Sequence, residues 1–366
     1  MLHGLNEEFA FPILLPRPRI SKRGPFYSSV TGKRVLVTGA GGSIGSELVI
    51  QIAGAKPSHL VMADISELNL YEIDLTLANG APDQSKLAAI CDVRDTKAVE
   101  KLFRDERPDV VFHAAALKHV PLLENDHNFV EAVLTNLVGT MNVANACAYY
   151  GAEMVLISTD KAVYPTSTMG QTKRLAELYV QALANEEESN RFLQVRFGNV
   201  IGSSGSVVPL FRRQIAQGGP VTVTHPEMTR YMMSIKQAVG LVLNASALHH
   251  EEGEGFGLYI LDMGEPIKII ELAEQLIRLS GLQPYDDIEI QFIGMRPGEK
   301  LHEELVYPWE KLHETRVKGV RSAMPEYEVG LTLFPLLREL AELRDAARLK
   351  VHMRELLDGQ EANVLA

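Results

Sequence analysis

An acid and an amine stand side by side at Asp160 and Lys161, directly after the hydroxyls of Ser158 and Thr159. A second lysine, Lys173, follows 12 residues after Lys161, with Met169 about one helical turn before it. Adjacent carboxyl and amino groups suit paired proton transfers, and a neighbouring hydroxyl can bond a substrate oxygen. To act at neutral pH each would carry a shifted pKa, through burial and mutual influence. The spacing permits this role without assigning it; an ordinary solvated doublet at a strand end is the competing reading. Met169 has no acidic proton and cannot be a base. A proton taken from a substrate hydroxyl beside it must go elsewhere.

A second constellation is Thr38-Gly39-Ala40-Gly41-Gly42-Ser43-Ile44-Gly45. It follows an apolar strand pattern and opens a helix at Ser43. Glycines at 39, 42 and 45 suit a tight turn, close backbone approach of a pyrophosphate, and close helix–strand packing. The helix start at Ser43 and Ile44 favours negative charge. Asp64 ends the next strand, 19 residues beyond Gly45. Its carboxylate can accept from ribose hydroxyls and would repel a 2′-phosphate, so the expected cofactor is NAD. Asp92 and Val93, after the third strand, are expected beside the adenine, with helix capping by Asp92 as the alternative.

These groups need a scaffold, and the chain supplies one. Arg34–Val37, His59–Ala63, Lys86–Cys91, Asp109–His113, Met154–Ile157 and Leu193–Phe197 read as strands. Helical stretches intervene at Ser43–Ala53, Thr96–Glu106, Asn128–Tyr150 and Gln171–Asn185. Continuously apolar strands alternating with helices imply a parallel sheet covered on both faces. The expected fold class is α/β, a doubly wound parallel sheet of Rossmann type with a smaller C-terminal substrate-binding lobe. Residues 1–30 read as an arm and 31–200 as the NAD-binding domain, with 235–262 returning to it through Gly257–Leu261. Residues 201–234 and 263–330 form the substrate lobe, and 331–366 a terminal helical segment over Leu336–Leu357.

Bulk properties fit a globular enzyme: 366 residues, 46% hydrophobic and 23% charged. A net charge of −11 argues against general nucleic-acid binding, although local basic groups can still meet an anionic substrate. Cys91 and Cys147 lie in apolar stretches and read as buried structural thiols. No run reaches the ~18–20 apolar residues of a membrane helix, and no signal peptide is read at the start. A cytoplasmic protein is expected. The histidines, His249-His250 included, lack companions at metal-ligand spacing, so no metal is expected.

The glycine spacing departs from G-x-G-x-x-G and resembles the extended short-chain dehydrogenase/reductase superfamily. His113-Ala114-Ala115-Ala116-Leu117-Lys118-His119-Val120-Pro121 and Thr135-Asn136-Leu137-Val138-Gly139-Thr140 look like that superfamily's cofactor-flanking loop and helix asparagine. Ser158–Val163 with Pro165-Thr166, Arg196–Val207 and Met295–Leu301 are more specific. Together they resemble the polysaccharide-biosynthesis UDP-N-acetylhexosamine 4,6-dehydratases over roughly residues 31–310. Met169 is like the branch whose members usually carry an N-terminal membrane region. The chain is expected to correspond to the soluble catalytic part of that branch.

That resemblance implies a reaction. Carbon 4 of the sugar is oxidised, the carbon-5 proton is removed, water leaves from carbon 6, and the hydride returns to carbon 6. It implies Asp160 as the acid and Lys161 as the base, with Thr159 bonding the carbon-4 oxygen. Lys173 would reach the nicotinamide ribose, and Ala114, Ala115, Ala116 and Asn136 would flank the cofactor. In place of a tyrosine at 169, Asp160, Thr159 as a relay, or a water takes the first proton. Asn199, Ser206 and Val207 can meet the diphosphate or ribose, and Thr222 to Thr224 a uracil edge. Arg230 and Arg296 can neutralise phosphates, Glu299 suits a ribose hydroxyl, and Lys118 and His119 can touch sugar or phosphate. The expected partners are a UDP-sugar, most simply UDP-N-acetylglucosamine, and further copies of the chain in a homo-oligomer. The alternatives are a UDP-hexosamine 4-epimerase of the same superfamily and, more distantly, a non-catalytic NAD or nucleotide-sugar sensor.

Overall fold

The computed structural model describes residues 29–186, 191–252, 255–325, 330–332 and 334–365. The arm expected at 1–30 therefore lies outside the described residues except for Ser29 and Val30, and Val30 is fully buried in the core. Six strands arise where the apolar runs predict them: β1 (Arg34–Thr38), β2 (His59–Asp64), β3 (Lys86–Ile90), β4 (Val110–His113), β5 (Glu153–Ile157) and β6 (Phe192–Arg196). They lie parallel in the order β3-β2-β1-β4-β5-β6. The order reverses between β1 and β4, which opens a crevice at the carboxyl ends of the strands, where open α/β sheets bind ligands.

Helices α1 (Ser43–Gly54) and α2 (Glu67–Gly80) cover one face of the sheet. Helix α3 (Thr96–Glu106) covers the other. After β4 come the short α4 (Val120–Leu123), then α5 (Asp126–Ala132) and α6 (Gly139–Tyr150). The single helix expected over 128–150 is interrupted by a π-helical turn at Val133–Val138. That turn carries Asn136 inward, in keeping with the occurrence of π-turns at functional sites. Helix α7 (Thr168–Glu186) is buried along most of its length because it packs beneath the site against β5 and β6.

Beyond β6 the chain alternates between sheet and lobe. β7 (Asn199–Ile201), α8 (Val207–Ala216), β8 (Val221–Val223), β9 (Thr229–Arg230) and β10 (Met232–Ser234) lead to α9 (Ile235–Glu252). Helix α9 returns to the α1 face, and β11 (Phe256–Leu261) adds in parallel to β6, as the expected return of 235–262 requires. The lobe is completed by β12 (Ile267–Lys268), α10 (Ile269–Leu279) and β13 (Ile290–Phe292). Its own core is built from Phe211, Ile215, Val221, Val223, Leu272 and Leu276.

Two boundaries differ from expectation. β14 (Glu310–Glu314) and β15 (Val320–Pro325), assigned above to the lobe, instead extend the main sheet antiparallel beyond β11. The charged sequence of the edge strand β14 hides the hairpin, because an edge strand is solvated on one side, and β15 between it and β11 carries no continuous apolar run. The terminal helix is two helices, α11 (Phe334–Glu342) and α12 (Ala346–Leu365), broken at Arg344 with φ of 56°. Phe334, Leu337, Leu349 and Met353 seal them onto the β-sheet face that carries α7. Cys91 and Cys147 are buried, and burial pushes both thiols upward, Cys91 to about 11.

Candidate active site at the sheet switch point

A cleft of about 730 Å³ runs from the glycine turn across the end of β5 into the lobe. That volume falls in the range of small-molecule and cofactor sites. At its N-terminal end Gly39 takes φ of 66°, and a Cβ there would lie 2.6 Å from the Ala115 nitrogen. A Cβ on Gly45 would lie 1.9 Å from the Gly39 carbonyl oxygen, so the turn closes only around glycine. Gly42, as the N-cap of α1, lends no side chain to the helix start, and Gly42 to Gly45 line the cleft. Free N–H groups and the helix dipole there suit a pyrophosphate. Gly41, not singled out by spacing, is equally constrained: a Cβ would meet the Asn69 side chain at 2.4 Å.

Of the other expected cofactor residues, Asp64, Asp92, Val93, Ala115 and Asn136 lie outside the lining of the cleft. Asp64 sits at the end of β2 and accepts from the Gly41 and Ser66 nitrogens, both at 2.9 Å. It braces the glycine turn. Asp92 is held by the Arg94 guanidinium and does not cap α3; Asp95 does, accepting from Lys97 N and Ala98 N. Val93 is buried against Gly139. Asn136 does not face the cleft: it clamps the Ala114–Lys118 loop, accepting from Leu117 N (2.7 Å), donating to Leu117 O (3.0 Å) and donating to Thr172. Ala114 and Ala116 line the cleft, whereas Ala115 packs behind against Gly39 and the core.

At the end of β5 the chain turns through a short 3₁₀ segment, Asp160–Ala162, hung from the β6 side by Ser158 N to Val195 O and Asp160 N to Phe197 O. A Cβ on Gly170 would lie 2.3 Å from the Lys161 carbonyl, so α7 presses directly on this turn. Asp160 is fully buried. Its Oδ1 accepts from Thr159 Oγ1 (2.9 Å) and Lys161 Nζ (3.0 Å), and its Oδ2 has no partner. Lys161 also donates to Asn199 Oδ1 (2.9 Å) and pairs with Glu303 at 3.3 Å. Burial alone would lower the Lys161 pKa. The Asp160 and Glu303 carboxylates outweigh it, against Arg230, and hold it above the ordinary lysine value. The amine expected to act as base therefore rests as an ammonium.

Lys173 is nearly buried and donates to the Ile157 carbonyl (2.7 Å). Burial lowers its pKa to about 8, although Glu177 opposes the shift. Met169 is buried beside Leu123 and Ala132 while contributing to the cleft wall. His113, fully buried between Thr38 and Thr140, stays neutral: burial and then Lys173 push it to about 3.

The lobe side is more mixed. Ser206 N-caps α8, and its hydroxyl is buried without a partner where Ser206 and Val207 line the cleft, an arrangement suited to an anion. Lys118, His119, Arg296 and Glu299 all reach the wall, and Glu299 accepts from Arg296 N. Asn199 is drawn into the lysine cluster rather than standing free. Arg230 spends its guanidinium on the carbonyls of Thr229, Lys300 and Leu301. Thr222 exchanges two hydrogen bonds with Gln214 and Thr224 donates to the Met228 sulfur, while Val223 is buried in the lobe core; all three border the cleft. Asn199, Arg230 and Thr222, expected to meet the substrate, all line the cleft while each also has a protein partner.

Sequence reasoning missed two features. Glu303, two residues past the Met295–Leu301 motif, enters the cleft with its side chain 3% exposed. Beneath the site Glu177 accepts from Ser158 (2.6 Å) and from Arg196 through both oxygens (2.7 Å each), and Arg196 also donates to Glu310 (2.6 Å). No local spacing joins Arg196 to Glu310, 114 positions away.

A dinucleotide turn at a doubly wound switch point, followed by a lysine on the helix behind a polar strand end, defines an extended short-chain dehydrogenase/reductase. Residues 35–325 match the family described as polysaccharide biosynthesis protein, and the chain belongs to that family. It is 46% identical over 321 residues to the capsular polysaccharide biosynthesis protein CapD of Staphylococcus aureus, covering 86% of this chain and 52% of CapD. The chain thus spans about half the length of that relative. It is 34% identical to a UDP-N-acetylglucosamine 4,6-dehydratase (inverting) of Campylobacter jejuni, over 75% of this chain and 78% of that one. A UDP-glucose 4-epimerase of Rickettsia canadensis is 36% identical, over 75% and 77%.

Among solved structures, Pen from Bacillus thuringiensis superposes with a TM-score of 0.71 at 32% identity, over 82% of this chain and 91% of Pen. A UDP-glucose 4-epimerase of Thermus thermophilus in complex with NAD gives 0.59 at 25% identity, over 75% and 90%. Among the described residues no helix is long and apolar enough to cross a membrane, and no group of three His, Cys, Asp or Glu side chains is arranged to hold a metal.

Proposed function

We propose that the protein dehydrates a UDP-N-acetylhexosamine, UDP-N-acetylglucosamine first, to the UDP-4-keto-6-deoxy sugar. The observation that carries this reading is the pair Thr159 and Lys161 on the cleft wall, both bonded to the Asp160 carboxylate buried just behind them, beside a methionine where a phenol would otherwise take a proton. The glycine turn and uncapped α1 fit NAD, which supplies reversible hydride acceptance when bound. Thr159 Oγ1, already bonded to Asp160, can take the carbon-4 hydroxyl proton and pass its own to Asp160 Oδ1. Asp160 thereby becomes the acid that the departing carbon-6 hydroxyl needs: its proton returns through Thr159 Oγ1 to that oxygen, water leaves, and the carboxylate charge is restored. Lys161 rests as an ammonium and first releases a proton to solvent; the free amine so formed removes the carbon-5 proton and returns one to carbon 5 after elimination. Lys173 anchors the nicotinamide ribose and keeps positive charge near the oxidised oxygen.

The epimerase relative supports a second reading, 4-epimerisation of a UDP-hexosamine. Epimerisation needs no elimination pair, so product analysis after incubation with UDP-N-acetylglucosamine separates the two. Loss of one water supports dehydration; an isomer of unchanged mass supports epimerisation.

The methionine makes its own test. Met169→Leu keeps volume and polarity, so most turnover should survive. Lys173→Ala should be severely impaired, because its charge and its bond to the β5 end do not depend on residue 169. A kinetic comparison at saturating UDP-N-acetylglucosamine decides; an inactive leucine variant beside an active Lys173→Ala contradicts these roles.

A further inference from the structure

Glu303 places Oε1 3.3 Å from Lys161 Nζ and 3.6 Å from Arg230 Nε. Its other oxygen is buried without a hydrogen bond. A buried carboxylate so poorly solvated is costly unless its charge is matched. Arg230 matches it only partly, since both terminal nitrogens of that guanidinium bond backbone carbonyls. The charged groups facing Lys161 are Asp160 from its own turn and, from across the cleft, Glu303 and Arg230; Asn199 adds a neutral acceptor. Lys161 thus meets two anions and one cation.

We infer that Glu303 is a positioning residue that sets the protonation state of Lys161, and with it the pH range over which the site eliminates water. The elimination half rests on the dehydratase reading above. The direction of the Lys161 shift agrees with the geometry. Without the Glu303 charge the ammonium loses one of its two counter-ions and releases its proton at lower pH. Glu303 thereby holds the base in reserve in the resting site.

Glu303→Gln keeps the shape and an acceptor but removes the charge, whereas Glu303→Asp keeps the charge. The acid limb of the kcat–pH profile should move down by at least about one pH unit in Glu303→Gln, the low end for an opposite charge at this distance. It should stay near wild type in Glu303→Asp. A second readout needs no turnover: acetylation of Lys161 by acetic anhydride in sugar-free holoenzyme, followed by mass spectrometry of its peptide. Only the neutral amine reacts, and the Lys161 side chain is 20% exposed. The midpoint of that reaction should shift the same way. If wild-type protein makes no deoxy sugar, the proposed reaction fails while acetylation still decides on Glu303. Coincident acetylation midpoints in wild type and Glu303→Gln overturn the inference. So does a kcat that falls at every pH while the limb stays in place, the mark of a purely structural role.

Discussion

Asp160→Asn should lower dehydration of UDP-N-acetylglucosamine by ~10²–10⁴-fold, the loss typical of a missing general acid or base. Lys161→Met should do the same. Lys161 lines the cleft at the end of β5 and Asp160 is buried behind it, both away from the glycine turn, so UDP-sugar binding should remain nearly unchanged. Asparagine preserves the shape around the fully buried Asp160 but cannot take the Thr159 proton or give it to a leaving hydroxyl. The two variants should fail at different steps. Asp160→Asn should stall at carbon-4 oxidation, because the relay ends at that carboxylate. Lys161→Met should still oxidise carbon 4 and then accumulate reduced cofactor, visible by absorbance in a single turnover. Near wild-type turnover by either variant would require the elimination roles to be reassigned.

Arg196→Met should cost about 3–5 kcal/mol of stability, the range for breaking a buried ion pair from one side. Arg196 is fully buried and bonds both Glu177 and Glu310. Removing it takes the main counter-charge from two buried carboxylates, leaving Glu177 with Arg174 at 3.1 Å and Ser158, and Glu310 with the Tyr307 N–H. Because Ser158 donates to Glu177, the effect should also reach the catalytic turn and lower kcat. Urea unfolding read as a change in midpoint at constant slope measures the loss. A variant within about 1 kcal/mol of wild type would show that the network relaxes around the vacancy and does not hold β5, β6 and the edge hairpin together.

What could be read from the chain follows the range of the interaction. Strand, glycine turn and helix are encoded within a dozen residues, and Gly45 meets backbone atoms of the same turn; the close contact of Gly39 with Ala115 is made only when the loop after β4 packs on it. The Ser158–Lys161 turn and Lys173 were legible for the same reason: one strand end and the following helix carry them. Glu303 was not, since nothing near it in sequence distinguishes it from its exposed neighbour Glu304. Its meaning comes from Lys161, on the other side of the cleft. Arg230 and Thr222 were read as ligand groups by residue type, yet the fold supplies them with carbonyls and with Gln214. Asn136 was read as flanking the cofactor, and its partners in the fold are the Leu117 backbone and Thr172. The β14–β15 hairpin escaped because its solvated edge lacks the apolar run that marks the inner strands.

Isotope tracing is the sharpest test of an internal redox elimination at a site with methionine at position 169. Purified protein is incubated in deuterated water with UDP-N-acetylglucosamine carrying deuterium at carbon 4, without added reductant, and the product is analysed by mass spectrometry and proton NMR. The account predicts loss of one water, the carbon-4 deuterium recovered at carbon 6, and a solvent deuterium at carbon 5. Recovery of the carbon-4 deuterium at carbon 4 in an isomer that has lost no water would contradict it.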